Sequence, residues 1–426
     1  MRIAYIAAGA AGMYCGSCLH DNTLARALMD LGHDVLLVPT YTPIRTDEVD
    51  VSQPRVFVGG ISSYLQQKMP LFRYTPRWVD RLFDQPWLLK LATRGGPSVD
   101  PAKLGDMTVS MLRGESGNQR KGVVELVDWL VDVAKPDVVH LSNSMLLGFA
   151  KLIAERCGPP VVCSLSGEDI FLEKLTPPYY QQARDLIRER AGDVAAFVSL
   201  NEYYANFMSE YLAVAPERMH VVPHGLDLAG HGPAEPQSDD LIVGYLARIC
   251  HDKGLHLLIE ACEHLAETAP ELHFKIQAVG YLGKSDQPYL ADLERRIANG
   301  PLAGRFEYLG ELDRDGKLAF LKSLSVFSLP TVYAESKGLP VLEAWANGVP
   351  VVLPDHGSFS EMVADTSGGM LHVPHDPVDL AGRLAELLVD ADLRKELGTR
   401  GHAAVVDRYH AKKMAETTLE LYRSLL

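Results

Sequence analysis

The chain has 426 residues and a net charge of −14. That length can bury large cores without staples, and the negative balance argues against a nucleic-acid partner. The chain has six cysteines, too few for a disulfide framework, and no apolar run approaching the ~18 residues of a membrane span, so a soluble, reducing, cytoplasmic setting is expected.

The first residues, MRIAYIAA, enter a strand at once, with too short an apolar run for a signal peptide. A small-residue loop, GAAGMYCGS, precedes a helix with Leu24, Leu28 and Leu31 on one face, closed by Gly32. An apolar strand follows at 35–38. Strand, glycine-rich loop, helix and strand in this order form a βαβ unit, which requires a parallel sheet. Cys15-x-x-Cys18 has the spacing of a redox or metal pair, but no second pair and no His cluster completes a zinc site.

Residues 64–94 mix aromatics with Lys68, Arg73, Arg77, Arg81, Lys90 and Arg94, opposed only by Asp80 and Asp84. One reading is a surface that binds an acceptor or touches the inner face of a membrane. The other, favoured, is a helical pair with core aromatics and solvated charges. An amphipathic helix is expected at 123–134, a strand at 138–141, a helix at 145–153, and strands at 160–165, 195–200 and 219–223. The strand at 160–165 ends in Ser166-Gly167-Glu168-Asp169.

Residues 229–240, AGHGPAEPQSDD, read as a linker. A second β/α series follows, with strands at 241–246, 274–279, 306–309, 326–329 and 349–354. Arg248 and Lys253 sit after its first strand, where a guanidinium and an ammonium suit a diphosphate. Asp313-Arg314-Asp315 reads as a turn rather than a metal site. Helices are expected at 378–388, 396–408 and 411–425.

The stretch 335–348, ESKGLPVLEAWANG, carries the strongest local pattern. Glu335 lies in a loop, Gly338 supplies a turn, Pro340 suits the first helical position, Glu343 follows on the first turn, and Asn347-Gly348 ends the helix. Two carboxylates thus flank a helix start whose free N–H groups favour an anion. A ligand bearing both phosphate and hydroxyls, such as a sugar nucleotide, reconciles the two. Neither a nucleophile elbow nor a Walker loop is present.

Arg248-x4-Lys253-Gly254 together with E-x-x-G-L-P-x-L-E-A-x-x-x-G-x-P-V-V at 335–352 resembles the family 4 retaining glycosyltransferases. Supporting pieces run collinearly: 24–35, PDVVH at 136–140, VVPHGLD at 221–227, Leu309-Gly310 and 357–361. The resemblance implies the GT-B fold, two facing doubly wound Rossmann-like domains with a cleft between them. An acceptor-side domain spans 1–228 and a donor domain 241–408, with the final helix, 409–426, packing back onto the first. It implies that Arg248 and Lys253 hold the donor diphosphate, Glu335 the sugar hydroxyls and Glu343 the ribose hydroxyls. Gly16, Ser336, Gly338, Leu339 and Gly310 complete the donor site, and His20, Ser166, Glu168 and Asp169 lie on the acceptor side. The implied donor is a nucleotide-diphosphate sugar, a UDP-sugar foremost. The acceptor is a sugar, lipid or small molecule, transfer retains anomeric configuration, and neither cofactor nor metal takes part. Cys15, Ser166 and Lys337 stand where the family more often has Gly, His and an apolar residue. Two other readings are an epimerase or hydrolase on the same fold and a sugar-nucleotide-binding protein without transfer; a glucan- or sucrose-type synthase is a variant of the first.

Overall fold

The computed structural model describes residues 1–9, 16–76, 83, 101–234 and 240–426. The chain divides into two units, Met1–Gly225 with Ala411–Leu426, and Leu226–His410. Each is built on a six-stranded parallel sheet with helices around it.

In the first unit the strands are β1 (Arg2–Ala7), β2 (Asp34–Pro39), β3 (Val138–Leu141), β4 (Val161–Ser164), β5 (Ala196–Ser199) and β6 (Met219–Val221), ordered β2-β1-β3-β4-β5-β6. Every residue of β3, β4 and β5 is buried. That is what a parallel sheet covered on both faces demands, and it is why these strands read as unbroken apolar runs. The helix Gly16–Asp30 follows the loop after β1. Residues Cys15 and 10–14, including that loop and the Cys15 half of the C-x-x-C pair, lie outside the described residues. The helix Ala411–Leu425 packs beside Gly16–Asp30, placing Met414, Leu419, Leu421 and Tyr422 in the same apolar core as Leu24 and Leu28.

Two expected helices take other forms. The segment at 123–134 is an α-helix over Arg120–Trp129 that widens to a π-helix over Leu130–Ala134 and stops at Lys135 with φ 47°. The segment at 145–153 begins as a 3-10 helix, Ser144–Phe149, and becomes α-helical over Ala150–Cys157. Gly148 there meets the neighbouring helix so closely that a Cβ would lie 2.1 Å from Met111 O. Helices Tyr179–Arg190 and Glu202–Leu212 join the expected elements.

In the 64–94 stretch, residues 77–82 and 84–94 lie outside the described set. The rest departs from the favoured reading, since Tyr64 and Tyr74 are exposed, as are Met69 and Leu71. Arg73 turns inward to donate to Gln66 O and Gln67 O at 2.8 and 3.2 Å, and Lys68 pairs with Asp106 at 3.0 Å. Among the described residues no helix is long and apolar enough to cross a membrane.

In the second unit the strands are β7 (Leu241–Leu246), β8 (Phe274–Val279), β9 (Phe306–Tyr308), β10 (Val326–Ser328), β11 (Val351–Pro354) and β12 (Gly369–His372), ordered β12-β11-β10-β7-β8-β9. The order reverses between β7 and β10, which pair through Val326 with Val243 and Phe327 with Gly244. In open parallel sheets a ligand binds beyond the carboxyl ends of the strands at such a reversal. The linker's Glu235, Pro236, Gln237, Ser238 and Asp239 lie outside the described residues. Its first part is tied to this unit: Arg314 donates to Asp227 O and Ala229 O, and Lys322 to Gly230 O.

Candidate functional site

In the second unit the loop after β7 brings Arg248 and Lys253, and the loop after β10 brings Glu335. Gly254 joins them: its φ is +75°, and a Cβ there would lie 1.8 Å from Pro330 O. Only glycine lets the β7 loop rest on the β10 loop this closely. The helix Leu255–Thr268 starts at once, with Gly254 as its N-cap.

Lys253 Nζ lies 2.6 Å from Glu335 Oε2 and also donates to the Tyr333 hydroxyl. Tyr333 OH donates to the same Oε2 at 3.0 Å. Glu335 Oε1 accepts from the backbone N–H groups of Ser336 and Lys337 at 3.1 and 3.3 Å. Glu335 is 5 % exposed. Burial works to raise its pKa, but Lys253, aided by Lys337 and the Tyr333 hydroxyl, more than offsets this and holds it down to about 2. The carboxylate is therefore ionised and an acceptor for hydroxyls. Burial and the neighbouring Glu335 charge push the Tyr333 hydroxyl pKa upward. Arg248 is an exposed residue whose Nε lies 3.4 Å from Cys250 Sγ.

Behind Glu335 stands Gly357, where a Cβ would lie 2.6 Å from both Glu335 N and Glu335 O. Ser358 N donates to Glu335 O at 2.7 Å. The catalytic candidate is thus seated on the start of the helix Ser358–Thr366.

The helix after Glu335 spans Leu339–Ala346, with Gly338 as its N-cap at φ +70° and Asn347 as its C-cap. Pro340 therefore occupies the second helical position rather than the first, and Glu343 lies on the second turn. The shift arises because Gly338, in the left-handed region, ends the loop one residue earlier. Glu343 is 4 % exposed and its Oε1 lies 2.6 Å from Lys317 Nζ. Lys317 belongs to the helix Arg314–Ser323, whose N-cap Asp313 accepts from Gly316 N at 2.9 Å. The Asp313-Arg314-Asp315 stretch is thus a helix start and not an isolated turn. Lys317 had no sequence signal of its own, because its partner lies 26 positions away on another element. Gly310, at φ +77°, lies two residues after β9, which is three strands from β10 in the sheet. Its carbonyl accepts from Gly280 N at 2.9 Å.

In the first unit, Gly16 is the first residue of Gly16–Asp30 and His20 lies on the second turn. His20 is 7 % exposed, stands edge-on to His224 at 4.8 Å, and has Nδ1 3.3 Å from Asp21 Oδ1. Tyr5 OH donates to the same Asp21 oxygen at 2.8 Å. Glu168 accepts from Ser144 N at 3.0 Å and from Ser166 N at 2.8 Å, binding the loops after β3 and β4 together. Its two oxygens are occupied by the fold. Asp169 accepts from Tyr204 OH at 2.6 Å, and burial raises its pKa.

Known proteins share both units. The family model for the glycosyl transferase 4-like domain matches residues 22–225, and that for glycosyl transferases group 1 matches residues 231–403. Similar curated proteins include the alpha-maltose-1-phosphate synthase of Mycolicibacterium smegmatis, 32% identical over 50% of this chain and 59% of the relative. The 2-deoxystreptamine glucosyltransferase of Streptomyces kanamyceticus is 29% identical over 54% and 61%. The D-inositol 3-phosphate glycosyltransferase of Kribbella flavida is 28% identical over 68% and 71%. The chain spans about three fifths of the length of the first two relatives. Among solved structures, Anabaena HepE in complex with UDP has a TM-score of 0.69 at 17% identity, with 100% of each chain covered. The sucrose-phosphate synthase of Thermosynechococcus elongatus has a TM-score of 0.72 at 17% identity, covering 100% of this chain and 99% of that one. These likenesses show the fold.

Proposed function

Because the chain belongs to the GT-B glycosyltransferases, with a 4-like domain followed by a group 1 domain, we propose that it moves a sugar from a nucleotide-diphosphate donor to an acceptor hydroxyl. The observation that carries this reading is the convergence of Arg248, Lys253 and an ionised Glu335 at the β7/β10 reversal. Arg248 and Lys253 face the diphosphate and stabilise the negative charge that develops as the glycosyl bond breaks. Lys253 also keeps Glu335 charged, so that Glu335 accepts hydrogen bonds from the donor sugar's hydroxyls. Glu343 takes the ribose hydroxyls. The leaving phosphate accepts the proton of the incoming hydroxyl on the same face of the sugar, which gives retention without a protein nucleophile. The two cations and the helix start at Gly254 supply the positive field that a metal would otherwise bring. UDP is the first nucleotide to try, since HepE is solved with UDP and with UDP-glucose. The acceptor falls to the first unit, whose candidates are His20, Ser166 and Asp169; Glu168 holds loops.

The test is release of nucleotide from UDP-, GDP- and ADP-sugars, with and without sugar and lipid acceptors. Turnover with one donor is expected, and the anomeric configuration of the product reports retention. Absence of binding and release with every nucleotide would remove the reading. Lys253→Ala is expected to lower turnover by at least ~100-fold, the scale of losing one charge that stabilises a transition state. A fully active Lys253→Ala protein contradicts the phosphate role.

A further inference from the structure

The chain itself surrounds the Glu335 carboxylate with a full set of donors. Oε2 takes Lys253 Nζ at 2.6 Å and Tyr333 OH at 3.0 Å. Oε1 takes the N–H groups of Ser336 and Lys337 at 3.1 and 3.3 Å. An ionised carboxylate offers about four acceptor places. A ligand hydroxyl therefore reaches Glu335 by replacing one of these four donors. They differ in how readily they yield. Ser336 N and Lys337 N belong to the loop that carries Glu335. Lys253 is a full charge at 2.6 Å, and its three protons let it keep Glu335 while also meeting a phosphate oxygen. Tyr333, two residues before Glu335 and outside the E-x-x-G-L-P-x-L-E pattern, is neutral. Burial, and then the Glu335 charge, push its pKa up, so its hydroxyl keeps the proton. That proton swings about the C–O bond while the ring stays in place. The ring has its own supports: Lys253 Nζ lies 4.9 Å from its centroid, Thr331 Oγ1 donates to Tyr333 O at 2.9 Å, and Val332 N donates to Asp252 O at 2.9 Å. After release the hydroxyl still accepts from Lys253. Of the four donors, Tyr333 is the one that lets go of Glu335 without moving the chain.

We propose that Tyr333 is a positioning residue whose hydroxyl holds a place on Glu335 Oε2 and gives it up to a hydroxyl of the arriving donor sugar. This rests on the donor reading above. Tyr333 acts through Glu335: it keeps a buried carboxylate satisfied until the donor binds. It also sets how much affinity the sugar adds beyond the nucleotide diphosphate, because the new hydrogen bond to Glu335 is offset by the loss of the old one. The diphosphate contacts at Arg248 and Lys253 are common to the nucleotide and its sugar ester, so the ratio of the two affinities isolates the sugar end of the site.

Calorimetric titration of the full chain with UDP and UDP-glucose, GDP and GDP-mannose, and ADP and ADP-glucose reads that ratio for each nucleotide that binds. Tyr333→Phe keeps the ring and removes the hydroxyl, so the arriving sugar fills an open place on Glu335. The ratio of sugar-nucleotide to nucleotide affinity is then expected to rise about three- to tenfold, the scale of one hydrogen bond. In a Glu335→Gln background the same substitution is expected to leave the ratio unchanged. Tyr333→Leu reads the same ratio if the phenylalanine variant does not fold. A ratio that falls in Tyr333→Phe marks a direct contact between the tyrosine hydroxyl and the sugar. An unchanged ratio, with or without a lower melting temperature, marks a structural residue. Either result overturns the proposal while leaving the donor reading standing, and so does a rise that persists in the Glu335→Gln background. Failure of the wild-type protein to bind any of the six probes overturns the donor reading and this inference with it.

Discussion

Glu335 is the residue on which the acid stability of the second unit should turn. Its pKa in the folded state is held down to about 2, against ~4.3 in an unfolded chain. The folded state therefore binds fewer protons, and the stabilisation is present above pH ~4.3 and lost as pH falls toward ~2. Glu335→Gln should remove this contribution, of a few kcal/mol. The stability difference between wild type and variant should then shrink across that interval, as read by urea unfolding at a series of pH values. Equal differences at pH 6 and pH 2.5 would show that the Lys253 pair does not stabilise the unit. At this scale the sequence was a good guide to one kind of residue. Glu335, Gly338 and Glu343 were legible because their roles are set by order along a single loop and helix. Lys317 was not, since its meaning comes from a neighbour on another element. Nor was the task of Glu168, whose carboxylate looks available in a list of residues and is spent on two backbone N–H groups in the fold.

At the scale of elements, two glycines hold the loop that carries Glu335, and they should differ in tolerance. At Gly338 an added Cβ would lie 2.5 Å from Met362 Sδ, the far end of a flexible side chain. At Gly357 it would lie 2.6 Å from the Glu335 backbone itself. Both have positive φ, so each alanine costs about 1–2 kcal/mol in conformation alone. Gly338→Ala should cost little more, because the thioether can swing aside. Gly357→Ala should also displace Glu335 and weaken nucleotide-sugar affinity, whereas affinity for the bare nucleotide diphosphate should change less. Thermal unfolding and titration of both variants separate these outcomes. The strands were legible for a physical reason: β3, β4, β5 and β11 are buried at every position and so form short apolar runs. The helix Tyr179–Arg190 was not, for it buries only Ala183, Ile187 and Arg190 and offers little periodic signal. The π-turn at Leu130–Ala134 and the 3-10 start at Ser144–Phe149 escape any 3.6-residue pattern.

At the scale of the whole molecule, the first unit is assembled from both ends of the described chain. His140, fully buried on β3, meets Tyr422 OH through Nδ1 and Ser164 Oγ through Nε2 at 2.7 Å. Burial, with a smaller push from His20, lowers its pKa to about 3. The unfolded state therefore takes up protons that the folded state refuses, and this unit should lose stability as pH falls from ~6.5 toward ~3. Tyr422→Phe should cost about 1–3 kcal/mol by leaving a buried imidazole nitrogen unpaired. Removing residues 411–426 should do much more, stripping Met414, Leu419 and Tyr422 from the core. Hydrogen exchange on the truncated chain should show lost protection in β1, β2 and β3 while β7, β8 and β10 stay protected. Uniform loss in both sheets would show that the two units do not fold independently.

The return of the chain to its first unit also reverses the order of assembly during synthesis. A ribosome releases Leu226–His410 as one uninterrupted stretch, so that unit can close as soon as it has emerged. The unit begun earlier must wait, with the faces of Leu24, Leu28 and His140 uncovered, until Ala411–Leu425 arrives. The nascent protein therefore carries an open apolar surface throughout the making of Leu226–His410, and the unit that waits is the one more dependent on chaperones.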